Sequence, residues 1–154
     1  MTRALTLALA ALCALSACTN ERALAIEIVA AAPVPDEVVA WELRISSLEA
    51  TMGCPSVEQA ASAAPVARLA HAQTFTDVGM SVGEISGGRW AFAVLGREEG
   101  CAVRVYGCSV VEIGGETRSP IAIRVEPVAA SSALCGSCRS CAAGGCAPVA
   151  SVCP

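Results

Sequence analysis

Apolar side chains recur at every second position along much of this 154-residue chain. Residues 39–45 show it most clearly, because valine, tryptophan, leucine and isoleucine alternate there with alanine, glutamate and arginine. Successive side chains of a strand point to opposite faces, so this period predicts strands with one buried and one exposed face. Similar patterns, separated by turns containing glycine or proline, recur between residues 24 and 127. We therefore predict an all-β domain over 24–127, an antiparallel β-sandwich of about seven strands.

The connecting segments have their own local signals. Residues 49–65 predict a loop holding one short helical turn near 58–62, and residues 97–100 and 114–115 predict hairpin turns. Residues 81–85 predict a brief strand, whereas 66–76 is ambiguous, although His71 and Phe75 would share a strand face there. We expect the aromatic residues to form the core: Trp41, Phe75, Trp90, Phe92 and Tyr106.

A glycine turn followed by an alternating strand occupies residues 82–95. The pattern Ile-x-x-Gly-x-Trp-x-Phe-x-Val resembles the leucine–glycine–tyrosine signature of transthyretin-like and carboxypeptidase-regulatory-like modules, with Gly88 and Trp90 at the glycine and tyrosine positions. The resemblance implies a prealbumin-like or immunoglobulin-like sandwich whose central strand packs its aromatic between the sheets. Those modules share no activity, so it implies nothing catalytic.

The first residues have the features of an export signal. One arginine precedes an apolar run, Ala4 to Leu15, which as a helix would be roughly 18 Å long against a hydrocarbon core of about 30 Å. Leu15-Ser16-Ala17-Cys18 then resembles the lipobox of bacterial lipoproteins. This implies a signal peptide at 1–17, a palmitate-type lipid anchor on Cys18 and a tether over 18–23.

The resemblance extends to the whole layout, which is similar to that of Gram-negative surface lipoproteins. Thr19 follows Cys18, where an aspartate commonly retains such proteins on the inner membrane. We therefore expect a lipid-anchored protein of the cell envelope, placed in the outer membrane. The alternative is an ordinary signal peptide in which Cys18 is incidental.

The cysteine count predicts a disulfide framework. Of ten cysteines, Cys13 leaves with the signal and Cys18 takes the lipid. The remaining disulfide candidates divide into three in the body and five in the tail: Cys54, Cys101, Cys108, Cys135, Cys138, Cys141, Cys146 and Cys153. Exported cysteines oxidise. Because both groups are odd in number, complete oxidation requires at least one bond between tail and body.

Cys101 and Cys108 flank an alternating segment that predicts a strand. Their Cα atoms would lie roughly 23 Å apart when the chain is extended, far beyond disulfide reach. They also point to opposite faces and therefore need different partners. Cys54, in a turn-like Gly-Cys-Pro sequence, is a candidate for one of them and a tail cysteine for the other.

The cysteine-rich tail, 135–154, follows a linker of small residues at 128–134. It has almost no large apolar side chain, so covalent bonds or a metal must order it. Three interpretations stay open: a disulfide-stapled module, a zinc or copper site, and thiol exchange through a Cys-x-x-Cys pair. An iron–sulfur cluster fits poorly, because the spacing departs from the ferredoxin pattern at its last interval.

Catalytic chemistry is poorly supported by the remaining residues. His71 is the only histidine and has no motif around it, and the adjacent Glu98 and Glu99 lie in a hairpin turn where we expect them to be solvated. The net charge of −4 argues against nucleic acid as a partner. We expect no catalytic residue, cofactor or metal, and a non-enzymatic role in binding an envelope or extracellular protein or glycan. The alternative is a redox or metal-handling lipoprotein that uses the tail cysteines.

Overall fold

The computed structural model describes residues 24–69, 85–114, 120–131, 135, 139–142 and 144–149. Within these ranges the chain forms strands and one short helix, which confirms the all-β fold class. The elements in chain order are β1 (Ile26–Ala30), β2 (Ala40–Ser47), α1 (Val57–Ser62), β3 (Ala67–Leu69), β4 (Gly88–Arg97), β5 (Val103–Ile113), β6 (Ile121–Ser131), β7 (Arg139–Ala142) and β8 (Gly145–Pro148).

The strands form a six-stranded sheet in the order β1-β6-β5-β4-β2-β3 and a separate hairpin of β7 and β8. Neighbours within the large sheet are antiparallel except β1 and β6, which run parallel. The prediction of a wholly antiparallel arrangement is therefore wrong. Alternation reports which face a side chain occupies but not the direction of the strand, and no tight turn joins β1 to β6.

The core lies inside the curl of the large sheet. Trp41 and Leu43 of β2 belong to the same buried cluster as Ile26 of β1 and Ile123 of β6, although three strands separate β2 from β1 in the sheet order. The sheet therefore bends until its two ends share one core. Two stacked sheets, the predicted sandwich, are not confirmed.

Alternation predicts most of the core-facing residues correctly. Phe92 and Val94 of β4 and Ile123 and Val125 of β6 are buried, and Arg124 and Glu126 are exposed as predicted. Of the expected core aromatics, Trp41 and Phe92 are fully buried, Trp90 and Tyr106 are half-buried, and Phe75 lies outside the described residues.

The short helix α1 covers the outer face of the sheet. A capping box begins it, because Ser56 Oγ accepts from the Gln59 amide at 3.2 Å and Gln59 Oε1 accepts from the Ser56 amide at 2.9 Å. Its Ala60 and Ala61 pack against Ala93, Leu95 and Val103 in a second apolar cluster. The helical turn predicted near residues 58–62 is confirmed.

Several segment boundaries differ from the sequence predictions or lie outside the described residues. β6 continues to Ser131, four residues into the segment predicted as a linker. Only 67–69 of the ambiguous segment 66–76 is described as a strand. Residues 1–23, His71 and 81–84 lie outside the described residues. Among the described residues no helix is long and apolar enough to cross a membrane.

Candidate functional site

Six of the eight candidate cysteines form three disulfides. Their Cα atoms are 5.9 Å apart in Cys54–Cys108, 5.8 Å in Cys101–Cys141 and 5.4 Å in Cys135–Cys146. All three separations lie within the range that a disulfide permits. The other two candidates, Cys138 and Cys153, and the predicted lipidation residue Cys18 lie outside the described residues.

Cys101, which precedes β5, and Cys108, which lies within it, have different partners, as their spacing requires. Cys108 bonds within the body to Cys54, whereas Cys101 bonds to Cys141 of the tail. Cys101 lies in the β4–β5 turn with φ +65°, and its amide donates to the carbonyl oxygen of Glu98 at 2.8 Å. The Cys101–Cys141 bond is thus a link between tail and body of the kind that cysteine parity predicts.

The tail hairpin of β7 and β8 packs against this same turn. Cys141 and Cys146 face each other across the hairpin. Its turn contains Gly144, which is buried and has φ +73°, and whose amide donates to the Glu99 carbonyl at 3.1 Å. A Cβ at Gly144 would lie 2.6 Å from Val39 Cγ2. Glycine is therefore required there both by the backbone conformation and by the close contact.

Two disulfides come together where the hairpin meets the body. The Sγ atoms of Cys101, Cys135 and Cys146 all lie within 4.8 Å of one another, and Cys141 is bonded to Cys101. We call these four residues the sulfur cluster. Cys101 and Cys146 are fully buried, Cys135 is half-buried and Cys141 is exposed. The third disulfide is not part of this group.

A buried ionic network lies beside the sulfur cluster. Glu42 Oε2 accepts from Arg97 Nε at 2.6 Å and from an Arg44 terminal nitrogen at 2.7 Å, and Glu42 Oε1 lies 3.4 Å from Arg68 Nε. We call these four residues the arginine cluster. Glu42, Arg44 and Arg97 are buried, and Arg68 is 41% exposed. Three guanidinium groups pair with one carboxylate, an excess of two positive charges.

The backbone carbonyls at the end of α1 accept hydrogen bonds from two arginines of the cluster and from one arginine of the tail. Arg44 Nε donates to Ala60 at 3.0 Å, and Arg97 donates to Ala61 at 3.4 Å. Arg139 of the tail donates to Ala63 at 3.3 Å, one residue beyond the helix. The terminal carbonyls of a helix lack partners within it, so the arginines complete its hydrogen bonding.

Burial and charge act in opposite directions on Glu42. Burial pushes its pKa upward, but the attraction of Arg44, Arg97 and Arg68 outweighs that effect and holds the pKa below its usual value. Burial is also the main cause that lowers the pKa of Arg44, to about 10, which still leaves it charged at neutral pH. Among the described residues, Glu42 Oε1 and one terminal nitrogen of Arg44 have no hydrogen-bond partner.

The two clusters are joined by hydrogen bonds. Arg97 donates to the carbonyl oxygen of Cys101 at 2.7 Å, and Arg68 donates to the carbonyl oxygen of Cys146. Two of the guanidinium groups are therefore anchored on the backbone of two sulfur-cluster residues. The resulting site has four sulfur atoms next to an excess of positive charge.

Sequence reasoning missed the arginine cluster. Alternation in β2 placed Glu42 and Arg44 on a face expected to be exposed, but both are buried because α1 and the tail hairpin cover that face. Opposite charges two residues apart on one strand face were the only signal. Neither Cys-x-x-Cys spacing of the tail closes on itself, since Cys135 bonds to Cys146 and Cys141 to Cys101.

The remaining predicted positions are not part of this site. Glu98 is less solvated than we expected. Its carboxylate lies 3.1 Å from Arg104 Nε, and its side chain is only 32% exposed. Glu99 is exposed, and its carbonyl accepts a hydrogen bond from the Gly144 amide of the tail. No protein family, curated protein or solved structure matches this chain.

Proposed function

We propose that this protein is a lipid-anchored module of the cell envelope, held in the outer membrane through Cys18 and acting in binding, adhesion or envelope structure. The observation that carries the proposal is the lipobox sequence at residues 15–18. The three disulfides support it, because bonds of this kind persist in oxidising compartments such as the periplasm and the cell surface.

The position of the first strand fits a tethered module. Ile26 begins β1 eight residues after Cys18, and eight extended residues span at most about 29 Å. The folded domain would therefore stay close to the membrane surface. The curled sheet would bring its ends together around one core in the manner of the two layers of a sandwich. Its partner would be an envelope or extracellular protein or glycan.

Metabolic labelling tests the anchor. Cells expressing the protein are grown on labelled palmitate, and wild type is compared with Cys18→Ser and with Cys13→Ser as a matched control. We expect label on the wild type and on Cys13→Ser but not on Cys18→Ser. A wild-type product without label, or label that survives Cys18→Ser, would contradict the proposal.

A second candidate function is redox or metal handling by the tail cysteines. The observation that favours it is the proximity of two disulfides in the sulfur cluster, beside excess positive charge. Purification from the envelope, followed by thiol titration, metal analysis and intact mass, tests this function. Retained zinc or copper would support it, as would disulfides that a mild reductant opens to thiols and that re-form when the reductant is removed. Fully paired cysteines that resist mild reduction would argue for a purely structural role.

A further inference from the structure

We propose that Cys101, Cys135, Cys141 and Cys146, once reduced, bind a thiophilic divalent metal ion such as Zn²⁺ as four thiolates. The sulfur cluster would then have two states, a metal-free pair of disulfides and a reduced, metal-bound site. This inference rests on the second candidate function and names the site and the ligand it would use.

The positions of the sulfur atoms support a tetrahedral site. A zinc–sulfur bond is about 2.3 Å, so neighbouring sulfurs in a tetrahedral site lie about 3.8 Å apart. Three of the four Sγ atoms already lie within 4.8 Å of one another, and Cys141 is held beside them by its bond to Cys101. On reduction, the sulfurs of each former disulfide must move apart to about 3.8 Å and Cys141 must turn toward Cys135 and Cys146, movements that side-chain rotation in a hairpin and a turn can supply.

The charges of the neighbouring side chains match those of the proposed site. Four thiolates and one Zn²⁺ have a net charge of −2, while the arginine cluster has three cations to one carboxylate. Arg97 and Arg68 donate to the carbonyls of Cys101 and Cys146, which holds both guanidinium groups against the backbone of two of the four cysteines. Nearby cations lower the pKa of cysteine thiols and favour the thiolate form that binds metal.

The different exposures of the four cysteines predict which sulfur atom a reductant attacks first. Cys141 is exposed while its partner Cys101 is fully buried, so an external dithiol attacks the Cys141 sulfur and expels Cys101 as a thiolate. The second thiol of the reagent then releases Cys141 and leaves as a cyclic disulfide. The Cys135–Cys146 bond is reduced in the same way. Two dithiols supply four electrons, and metal binding releases the thiol protons.

Cobalt provides a direct optical probe of the site. The full mature protein is reduced anaerobically, freed of reductant and titrated with Co²⁺. We expect a single cobalt ion per chain, with sulfur-to-cobalt charge-transfer absorption and the visible bands of a tetrahedral ion. Cys101→Ser and Cys135→Ser should each weaken binding by at least roughly 100-fold. The oxidised protein should not bind cobalt.

Two double variants serve as matched controls. Cys54→Ser/Cys108→Ser removes the disulfide outside the sulfur cluster, and Cys138→Ser/Cys153→Ser removes the other tail thiols. Both should retain the cobalt spectrum and affinity. Loss of binding in the second control would overturn the assignment of ligands.

Folding of the reduced protein provides a second measurement, followed by circular dichroism. If the reduced chain unfolds without metal and refolds on adding Zn²⁺, the proposal is supported. A reduced protein that binds no cobalt, whether folded or unfolded, would overturn it. Reversible thiol–disulfide cycling without metal uptake would leave the second candidate function intact and reject only this site. Palmitate labelling tests the lipid anchor independently of either result.

Discussion

At the scale of single residues, Glu42 determines whether the outer face of β2 can be buried. Its carboxylate bonds to Arg44 and Arg97 inside the protein and approaches Arg68 at the edge. Buried charges are tolerated when they are paired and hydrogen-bonded, and removing one partner is costly because the other charges remain buried. Glu42 therefore allows the arginines to bind the end of α1 and the tail.

Replacing Glu42 with glutamine should lower the free energy of unfolding by about 3–5 kcal/mol, because it removes the buried carboxylate to which Arg44 and Arg97 both bond. Glu98→Gln is the matched control, since the Glu98–Arg104 pair is about one-third exposed on both sides. That change should cost no more than about 1 kcal/mol. Denaturant unfolding measures both. Equal losses in the two variants would contradict the role given to Glu42.

Tyr106 should ionise only at high pH. Burial raises its pKa to about 12, and its hydroxyl donates to the Pro55 carbonyl. The folded pKa exceeds the unfolded value near 10, so the resulting stability is complete below pH 10 and is lost as pH rises through about 12. Because Tyr106 is the only tyrosine, absorbance at alkaline pH reports it alone. A midpoint near 10 in the folded protein would contradict its burial.

At the scale of elements, the tail hairpin is attached to the sheet by more than its disulfide. The Gly144 amide donates to the Glu99 carbonyl, and the carbonyl oxygen of Cys146 in β8 accepts from Arg68. None of the described residues of the hairpin belongs to either apolar cluster, in line with the scarcity of large apolar side chains in its sequence. The hairpin is ordered because the β4–β5 turn supplies a hydrogen-bond acceptor, the Glu99 carbonyl, and a covalent partner, Cys101.

Gly144→Ala should loosen the hairpin. The added Cβ would contact Val39 and force a residue other than glycine to adopt φ +73°, a backbone cost of about 1–3 kcal/mol. Amide exchange in β7 and β8 should accelerate, and a dithiol should reduce Cys101–Cys141 faster. In Gly53→Ala, the matched control, the new Cβ meets nothing within 4 Å, so exchange and reduction should be unchanged. Unchanged hairpin exchange in Gly144→Ala would contradict the docking.

At the scale of the whole molecule, the alternation of apolar residues and the number and spacing of the cysteines predict different parts of the structure. Alternation indicates which residues of β4 and β6 face the core, because a period of two assigns each side chain to a face. Spacing also indicates that Cys101 and Cys108 need different partners. The parallel pairing of β1 with β6 and the curl of the sheet were not predictable, because they depend on contacts between distant segments.

The same limit applies to the candidate site: its residue types could be predicted from the sequence, but the contacts between segments far apart in the chain could not. The sequence identifies the cysteines as bond-forming residues, but nothing in their spacing indicates that Cys135 and Cys146 would meet Cys101. The burial of Glu42 and Arg44 was likewise not predictable, because it depends on α1 packing over a face of β2 that the alternating pattern predicts to be solvent-exposed. Both features follow from how the tail and α1 pack on one sheet.

The Cys101–Cys141 bond makes the tail covalently part of the folded domain, and we propose that an oxidising compartment maintains it. Peptide mapping under non-reducing conditions, on protein isolated from the envelope with free thiols blocked at lysis, tests it most directly. We predict fragments joined through Cys54–Cys108, Cys101–Cys141 and Cys135–Cys146. Bonds confined within the tail and within the body, or Cys101 recovered as a blocked thiol, would contradict the claim.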